Sequence, residues 1–138
     1  MIVGVGIEWL DVPRFEALEA RYGDRLRTRV FTEGERAFAA RKKRGHESLA
    51  VRLAAKIAGR KALGLSFARW QDLEVRRSPG RAPTLHFHGR AAEAAEALGV
   101  SRVSLTLTHD AAACIGQVVL ENEVQKGRRK EPRKEESR

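Results

Sequence analysis

Three groups of side chains in this sequence have types and spacings that point to chemistry, and the first is a single carboxylate. Glu8 directly follows the apolar run 2–7, whose composition predicts a short buried strand. A strand end holds a side chain rigidly while the next loop exposes it, which suits a metal ligand or a catalytic acid. An ordinary solvated glutamate in a turn is the competing interpretation.

The second group is a row of cations beside an apolar row in the longest helical pattern. Arg52, Lys56 and Arg60 recur every four residues, with Lys61 alongside and Gly64 at the end of the helix. Arginine forks onto phosphate oxygens, lysine adds a point charge, and glycine allows a ligand to approach the backbone. The pattern suits a polyphosphate site, and a solvated basic face is the alternative.

The third group is a predicted tight turn that contains Thr108 and His109 between two apolar strands. Histidine transfers protons near neutral pH, and a hydroxyl beside it can orient a phosphate or a ribose. A histidine in a hairpin can also be an ordinary surface residue. His86 and His88 are predicted to face outward together, and no third ligand has the spacing of a metal site.

Caps and periodicity predict the elements that position these groups. The predicted helices are 11–23, 26–30, 32–43, 47–63 and 90–98. The predicted strands are 2–7, 72–77, 84–88, 103–107 and 111–120. The later strands are joined by short connections, so we expect them to be antiparallel. This order predicts an α+β fold with helices on one side of a sheet.

The composition describes one domain with an excess of positive charge. The chain has 138 residues, 42% of them hydrophobic, which suffices for one modest core. Its 27 Lys and Arg against 18 Asp and Glu give a net charge of +9, which suits an anionic partner. One cysteine, Cys114, excludes an internal disulfide and a multi-cysteine zinc site, and we expect it to fill an interior strand.

The two ends of the chain complete the expected organisation. The apolar start has no basic region before it, so we do not read it as a signal peptide, and no run approaches the ~18 residues of a membrane span. We therefore expect a cytoplasmic protein with one domain at 1–124. Residues 125–138 contain seven basic and three acidic side chains and no large apolar one, which predicts a disordered tail, more typical of a solubilising segment than of a nucleic-acid arm.

Four stretches of the sequence occur in an order that is typical of one family. The strongest is 52–64, RLAAKIAGRKALG, which is similar to the signature R-[FW]-A-A-K-E-A-x-x-K-A-[LF]-G. The start 3–8 with Arg14, the turn 80–83 and the hairpin 103–110 match further motifs, the last two with changes in length. Across residues 1–121 the sequence thus resembles the holo-acyl-carrier-protein synthases, the short class of 4′-phosphopantetheinyl transferases.

The resemblance implies an α+β fold, helices packed on a mainly antiparallel sheet, and a homotrimer with active sites between subunits. It implies transfer of the 4′-phosphopantetheine arm from coenzyme A to a serine of an acyl carrier protein, for fatty acid biosynthesis. Adenosine 3′,5′-bisphosphate is released, and Mg²⁺ is the implied cofactor.

The resemblance also implies roles for individual residues. Lys61 and His109 take catalytic roles, Arg14 receives the acidic carrier protein, and Glu8 binds the metal. The implied coenzyme A contacts are Arg52, Lys56, Lys61, Gly64 and Thr108.

Three departures from the family pattern bear on the metal and the phosphate. The family has Asp where Glu8 stands and Glu where Ile57 stands, and those two carboxylates are its metal ligands. Ile57 cannot bind a metal, so we expect a weakened or rearranged site, with Glu47 or Asp110 as possible substitutes. The stretch 65–67 replaces a Gly/Thr-rich turn, which can change how the phosphates are held.

Three hypotheses follow from the sequence. The first is an active transferase with an altered metal site. The second is a non-catalytic family member that binds coenzyme A or a carrier protein. The third is a basic nucleic-acid-binding protein, which the low aromatic content of 6% disfavours because single-strand binding uses stacking on aromatic rings.

Overall fold

The computed structural model describes residues 1–66 and 68–123 of the chain. The predicted tail, 125–138, and the predicted domain limit at 124 lie outside the described residues. No helix in the described part is long and apolar enough to cross a membrane.

Helices and strands alternate irregularly along the chain. The helices are α1 (Val12–Tyr22), α2 (Asp24–Val30), α3 (Glu33–Ala40), α4 (Gly45–Leu63) and α5 (Gly89–Ala97), with a short 3₁₀ turn at Trp70–Asp72. The strands are β1 (Ile2–Asp11), β2 (Leu73–Arg76), β3 (Thr84–Phe87), β4 (Val100–His109) and β5 (Ala113–Asn122).

Local chemistry explains where these helices begin and end. Asp11 caps α1 by accepting a hydrogen bond from the backbone of Arg14. Thr32 and Glu35 form a reciprocal capping box at the start of α3, as the sequence predicts. Gly64 ends α4 in the left-handed conformation, with φ of 68°.

The sheet that carries the fold has three antiparallel strands in the order β1-β5-β4, and β2 and β3 form a separate hairpin. Helix α4 packs on one face of the three-stranded sheet and lies against β1 and β5. A β-carbon on Gly6 would lie 1.8 Å from the carbonyl oxygen of Ala58, so only glycine allows this close packing of strand and helix. Mixed helices and an antiparallel sheet confirm the predicted α+β class.

Two predicted strand ends are wrong in ways that affect the site. Strand β1 continues to Asp11, so Glu8 lies within the strand and not after it. Pairing with β5 along this whole length extends the strand beyond its apolar run. Thr108 and His109 are the last residues of β4, and the turn follows them.

Candidate active site

Burial along α4 differs from the predicted pattern of an apolar row beside a basic row. Arg52 and Lys56 are buried, whereas Leu53 and Ile57 are only half-buried. Aromatic rings from outside the helix cover the basic row: the Arg52 guanidinium lies 4.1 Å from the centre of the Phe38 ring. Arg52 and Lys56 therefore pack inside the protein and do not form a solvated face, while Arg60 is half-buried.

Lys56 lies at the centre of a buried polar cluster. Its Nζ donates to Glu35 Oε1 at 2.5 Å and to the carbonyl oxygen of Val30 at 2.6 Å. Burial lowers the pKa of Lys56, and the neighbouring Glu35 carboxylate opposes that shift. Lys56 is fully buried, and these partners hold its ammonium inside the protein. The coenzyme A contact that the resemblance implies for Lys56 is therefore not part of the candidate site.

Arg52 is also buried, but it borders a cavity. Its Nη1 donates to the carbonyl oxygen of Ser48 at 3.1 Å and to Ser48 Oγ at 2.7 Å. Burial lowers the pKa of the guanidinium. Its Nε is buried and has no hydrogen-bond partner within the described residues.

This cavity, which we call the basic pocket, has a volume of about 470 Å³. Five of its lining side chains are cationic and one is acidic. They are Lys42, Lys43, Arg44, Arg52 and Arg77, with Glu47 as the acid. Phe38, Val51, Pro83 and Leu107 supply apolar wall. A concave site with apolar walls and excess positive charge suits a ligand that combines a flat ring with phosphate groups.

His109 stands in the wall of the basic pocket, where Glu47 fixes its tautomer. The Glu47 carboxylate lies 2.7 Å from His109 Nδ1 and is itself buried. A carboxylate accepts, so Nδ1 carries the hydrogen and Nε2 of the neutral ring is left as the proton acceptor. The pair can therefore take up and release a proton.

The other candidate residues of this hairpin have different roles. Thr108 pairs with Ile115 and lies on the outer face of the sheet, so within one chain it does not share the pocket of His109. Asp110 Oδ1 accepts from the backbone N–H groups of Ala112 and Ala113, which lower the pKa of this carboxyl.

Cys114 is buried, and burial raises the pKa of its thiol to about 11. It packs as a small apolar side chain, as the sequence predicts, because a thiol with this pKa is not an effective nucleophile at neutral pH.

A second group of polar residues lies near the other end of α4. Lys61 Nζ donates to Glu8 Oε2 at 2.5 Å and to the carbonyl oxygen of Ile7 at 3.2 Å. We call Glu8 and Lys61 the edge pair, because β1 is an edge strand of the sheet. The Lys61 side chain is 55% exposed, so a ligand can reach its ammonium group.

The basic pocket and the edge pair face different sides of the molecule. Arg52 and Lys61 are nine residues apart on α4, which at about 100° per residue places them on opposite sides of the helix. Glu8 lies on β1 and His109 on β4, which are the two opposite edges of the sheet. One chain therefore presents two separate half-sites.

The edge pair does not fit a resident magnesium ion. Ile57, one turn before Lys61, offers no oxygen, and Glu8 is already neutralised by the Lys61 ammonium. The possible substitutes are engaged elsewhere, Glu47 with His109 and Asp110 with the backbone. Within residues 1–66 and 68–123, no three His, Cys, Asp or Glu side chains lie close enough together to hold a metal ion.

Helix α1 presents a mixed cationic and apolar face that includes Arg14. Leu18 and Tyr22 are 42% and 46% exposed. Arg14 and Arg21 are exposed on the same face, and the Arg21 guanidinium lies 5.3 Å from the centre of the Tyr22 ring. Such a face suits an acidic partner helix that also has apolar side chains.

Sequence reasoning missed most of the basic pocket. The stretch 41–44, RKKR, supplies three of its cations, and we interpret it from the sequence only as the end of a helix. A run of four cations before a predicted helix is the signal that points to this site. Glu47 appears in the sequence analysis only as a substitute metal ligand, because nothing in the sequence pairs it with His109.

Comparison with known proteins places this geometry in a family. Residues 3–115 match the sequence model of the 4′-phosphopantetheinyl transferase superfamily. The chain is 45% identical over 125 residues to a protein of Solibacter usitatus named holo-[acyl-carrier-protein] synthase, covering 88% of this chain and 100% of that protein. It is 43% identical to a protein of Anaeromyxobacter sp. with the same name, covering 88% and 97%.

Solved structures agree with the sequence relatives. Holo-[acyl-carrier-protein] synthase from Neisseria meningitidis has a TM-score of 0.81 and 25% identity, covering 88% of this chain and 100% of that one. The enzyme from Bacillus anthracis, in complex with coenzyme A (3′,5′-ADP), has a TM-score of 0.72 and 31% identity, covering 89% and 99%.

Proposed function

Because the chain belongs to the 4′-phosphopantetheinyl transferase superfamily, and within it to the holo-[acyl-carrier-protein] synthases, we propose that it transfers 4′-phosphopantetheine from coenzyme A to a serine of an acyl carrier protein. The observation that carries this proposal is the basic pocket with His109 in its wall. Fatty acid biosynthesis is the pathway that we expect this reaction to serve.

The reaction joins the serine Oγ to the β-phosphorus of coenzyme A. The bond from that phosphorus to the bridging oxygen breaks, and adenosine 3′,5′-bisphosphate leaves. The serine hydroxyl loses its proton, and negative charge accumulates on the diphosphate. The site must therefore supply cations, a proton acceptor and a fixed geometry.

The nucleotide end of coenzyme A is proposed to occupy the basic pocket. Its 3′-phosphate would meet the cations of the stretch 42–44 and Arg77, and the positive charge of Arg52 lies in the same wall. The apolar side chains in the same wall suit the adenine ring. Lysine and arginine together give both point charge and forked hydrogen bonds to phosphate.

Lys61 and His109 are proposed to act on the reacting groups. The exposed Lys61 ammonium stabilises the charge that develops on the diphosphate, and Gly64 at the end of the helix leaves space near it. His109, with Nδ1 held by Glu47, accepts the serine proton at Nε2.

A homotrimer would unite the two half-sites. The outer face of the sheet is not covered by other described residues, and Val5, Ile7 and Trp9 on it are 54%, 57% and 59% exposed. An apolar face of this kind is typical of a subunit interface. Ring-like contacts between copies bring different edges of neighbouring chains together, so Glu8 and Lys61 of one copy can meet His109 of the next. Thr108, on the outer face, would then lie at this interface.

The carrier protein is proposed to dock on the mixed face of α1, with Arg14 as its cationic contact. Magnesium, which the resemblance assigns to Glu8, enters no step here, because the residues around Glu8 do not fit it.

Mass spectrometry of an apo carrier protein tests the function. Incubation with the protein and coenzyme A should add the mass of phosphopantetheine to the carrier, and Lys61→Met and His109→Ala should each slow the addition by about 100-fold or more. Coenzyme A binding without any mass gain would favour the second hypothesis, a non-catalytic family member, for which the altered metal site is the supporting observation.

A further inference from the structure

Both positions at which the resemblance implies a metal ligand carry a different residue in this chain. The resemblance gives the family an aspartate at position 8 and a glutamate at position 57. Glu8 has one more C–C bond than aspartate, about 1.5 Å of additional reach, and its Oε2 lies 2.5 Å from Lys61 Nζ. Position 57 is apolar and half-buried. One carboxylate is thus redirected to a lysine, and the other is absent.

The backbones that carry the edge pair are held in place by close packing. Gly6 lies against the carbonyl group of Ala58, and Gly116, opposite Glu8 in the sheet, lies against the backbone of Ala54 and Ala55. A β-carbon at Gly116 would be 2.7 Å from the Ala55 nitrogen. Close packing of the α4 backbone against β1 and β5 therefore fixes the backbone positions of Glu8 and Lys61 relative to each other, so that the pair has one geometry.

The hydrogen bonds of Lys61 leave one donor for a ligand. An ammonium group has three hydrogens. Glu8 and the carbonyl oxygen of Ile7 accept two of them. The third remains available, and the side chain is 55% exposed. A phosphate oxygen is a suitable acceptor for it, because a charge-assisted hydrogen bond to phosphate is among the stronger ones.

We propose that Glu8 is a positioning residue for Lys61, and that the edge pair binds the diphosphate through the Lys61 ammonium without a divalent metal resident on the protein. This inference rests on the proposed function for the identity of the diphosphate. It reverses the role that the family resemblance gives to Glu8. A Mg²⁺ ion approaching Glu8 meets the positive charge of Lys61 and finds no second protein oxygen at Ile57.

Metal titration of the full-length protein provides the first test. Mn²⁺, used as the probe and followed by electron paramagnetic resonance, should not bind stoichiometrically to the wild-type protein at concentrations up to about 1 mM. Ile57→Glu should gain roughly one bound Mn²⁺ per chain, because it restores a second carboxylate one turn from Lys61. Ile57→Gln, of similar size and without charge, is the matched control and should gain none. Stoichiometric Mn²⁺ binding by the wild type that Glu8→Gln abolishes would overturn the proposal.

Coenzyme A affinity provides the second test. In EDTA, the wild type should bind coenzyme A as tightly as in Mg²⁺, within about twofold. Glu8→Asp keeps the charge but shortens the side chain, so it should weaken binding in EDTA about fivefold by releasing Lys61. Glu93→Asp, an exposed change on α5, is the matched control and should leave the affinity unchanged.

The two roles of Glu8 predict opposite results for Glu8→Asp. A metal ligand would tolerate aspartate, and Glu8→Asp would then bind Mn²⁺ and coenzyme A at least as tightly as the wild type, which would overturn the proposal. If coenzyme A binds under neither condition, the proposed function fails, whereas the Mn²⁺ titration still decides the role of Glu8.

Discussion

Two lysines on one helix show that a side chain takes its role from its neighbours. Lys56 and Lys61 belong to the same signature and are five residues apart on α4. Lys56 is fully buried against Glu35, whereas Lys61 is exposed beside Glu8. The first lysine neutralises an internal carboxylate that also receives the backbone N–H groups of Thr32 and Val75. The second has the exposure and the free donor that a ligand requires.

Substitution of each lysine by methionine should separate stability from activity. Lys56→Met leaves the Glu35 carboxylate buried without its cation, so the free energy of unfolding should fall by about 3 kcal/mol or more. Lys61→Met removes an exposed ion pair, so the same free energy should change by no more than about 1 kcal/mol, while transfer is lost. Urea unfolding followed by circular dichroism measures the first quantity, and carrier-protein mass gain the second. Equal stability losses in the two variants would contradict this division.

At the scale of elements, local signals predicted the helices well. The capping box at Thr32 and the glycine at the end of α4 act through neighbouring residues in sequence, so they can be recognised without the fold. The burial of α4 could not be predicted in this way. The sequence leaves Arg52 and Lys56 as either a polyphosphate site or a solvated face, and it does not predict their burial because their partners Phe38 and Glu35 come from a separate helix.

The sequence predicted which residues belong to the candidate site better than it predicted how they are arranged. The sequence points to Lys61, Glu8 and His109, and the structure brings Glu8 to Lys61 but places His109 at the opposite sheet edge. Edge positions depend on the strand order β1-β5-β4, which pairs the first strand with the last. Hydrophobic periodicity indicates that a strand exists, but it does not say which strand is its neighbour.

The contact between β1 and α4 depends on glycine, which Gly6→Ala should test. The new methyl group would overlap the carbonyl of Ala58, so the helix must move from the sheet, and we expect a loss of about 3 kcal/mol in the free energy of unfolding. Gly34→Ala is the matched control on α3. A β-carbon there would lie 3.4 Å from Glu74 Oε2 and 3.9 Å from Thr32 Oγ1, and alanine favours a helix, so stability should stay the same or rise. A Gly6→Ala protein as stable as the wild type would show that the close packing is not required.

At the scale of the whole molecule, the two half-sites and the exposed sheet face have one common explanation. Edge strands β1 and β4 carry Glu8 and His109 at opposite edges of the sheet, separated by two strand spacings of about 4.8 Å each and offset along β5, where their partners are Gly116 and Cys114. Within one chain, the edge pair and the basic pocket therefore form at opposite edges of the sheet. In the proposed homotrimer, a second copy on the outer face beside Ile7 and Trp9 would cover exposed apolar surface and supply the other half of the site.

Mixing two inactive variants tests this assembly directly. Lys61→Met retains His109, and His109→Ala retains Lys61, so each homo-oligomer lacks one half of every site. If a site takes Lys61 from one chain and His109 from its neighbour, unfolding and refolding the two variants together at equal concentrations should restore about a quarter of the sites. Recovered transfer, measured as carrier-protein mass gain, would then approach that fraction of the wild-type rate. A site built within one chain predicts no recovery.

Ile7→Arg, which places a charge on the exposed sheet face, should remain folded yet prevent recovery, because its side chain is solvent-exposed in the single chain but lies in the proposed interface.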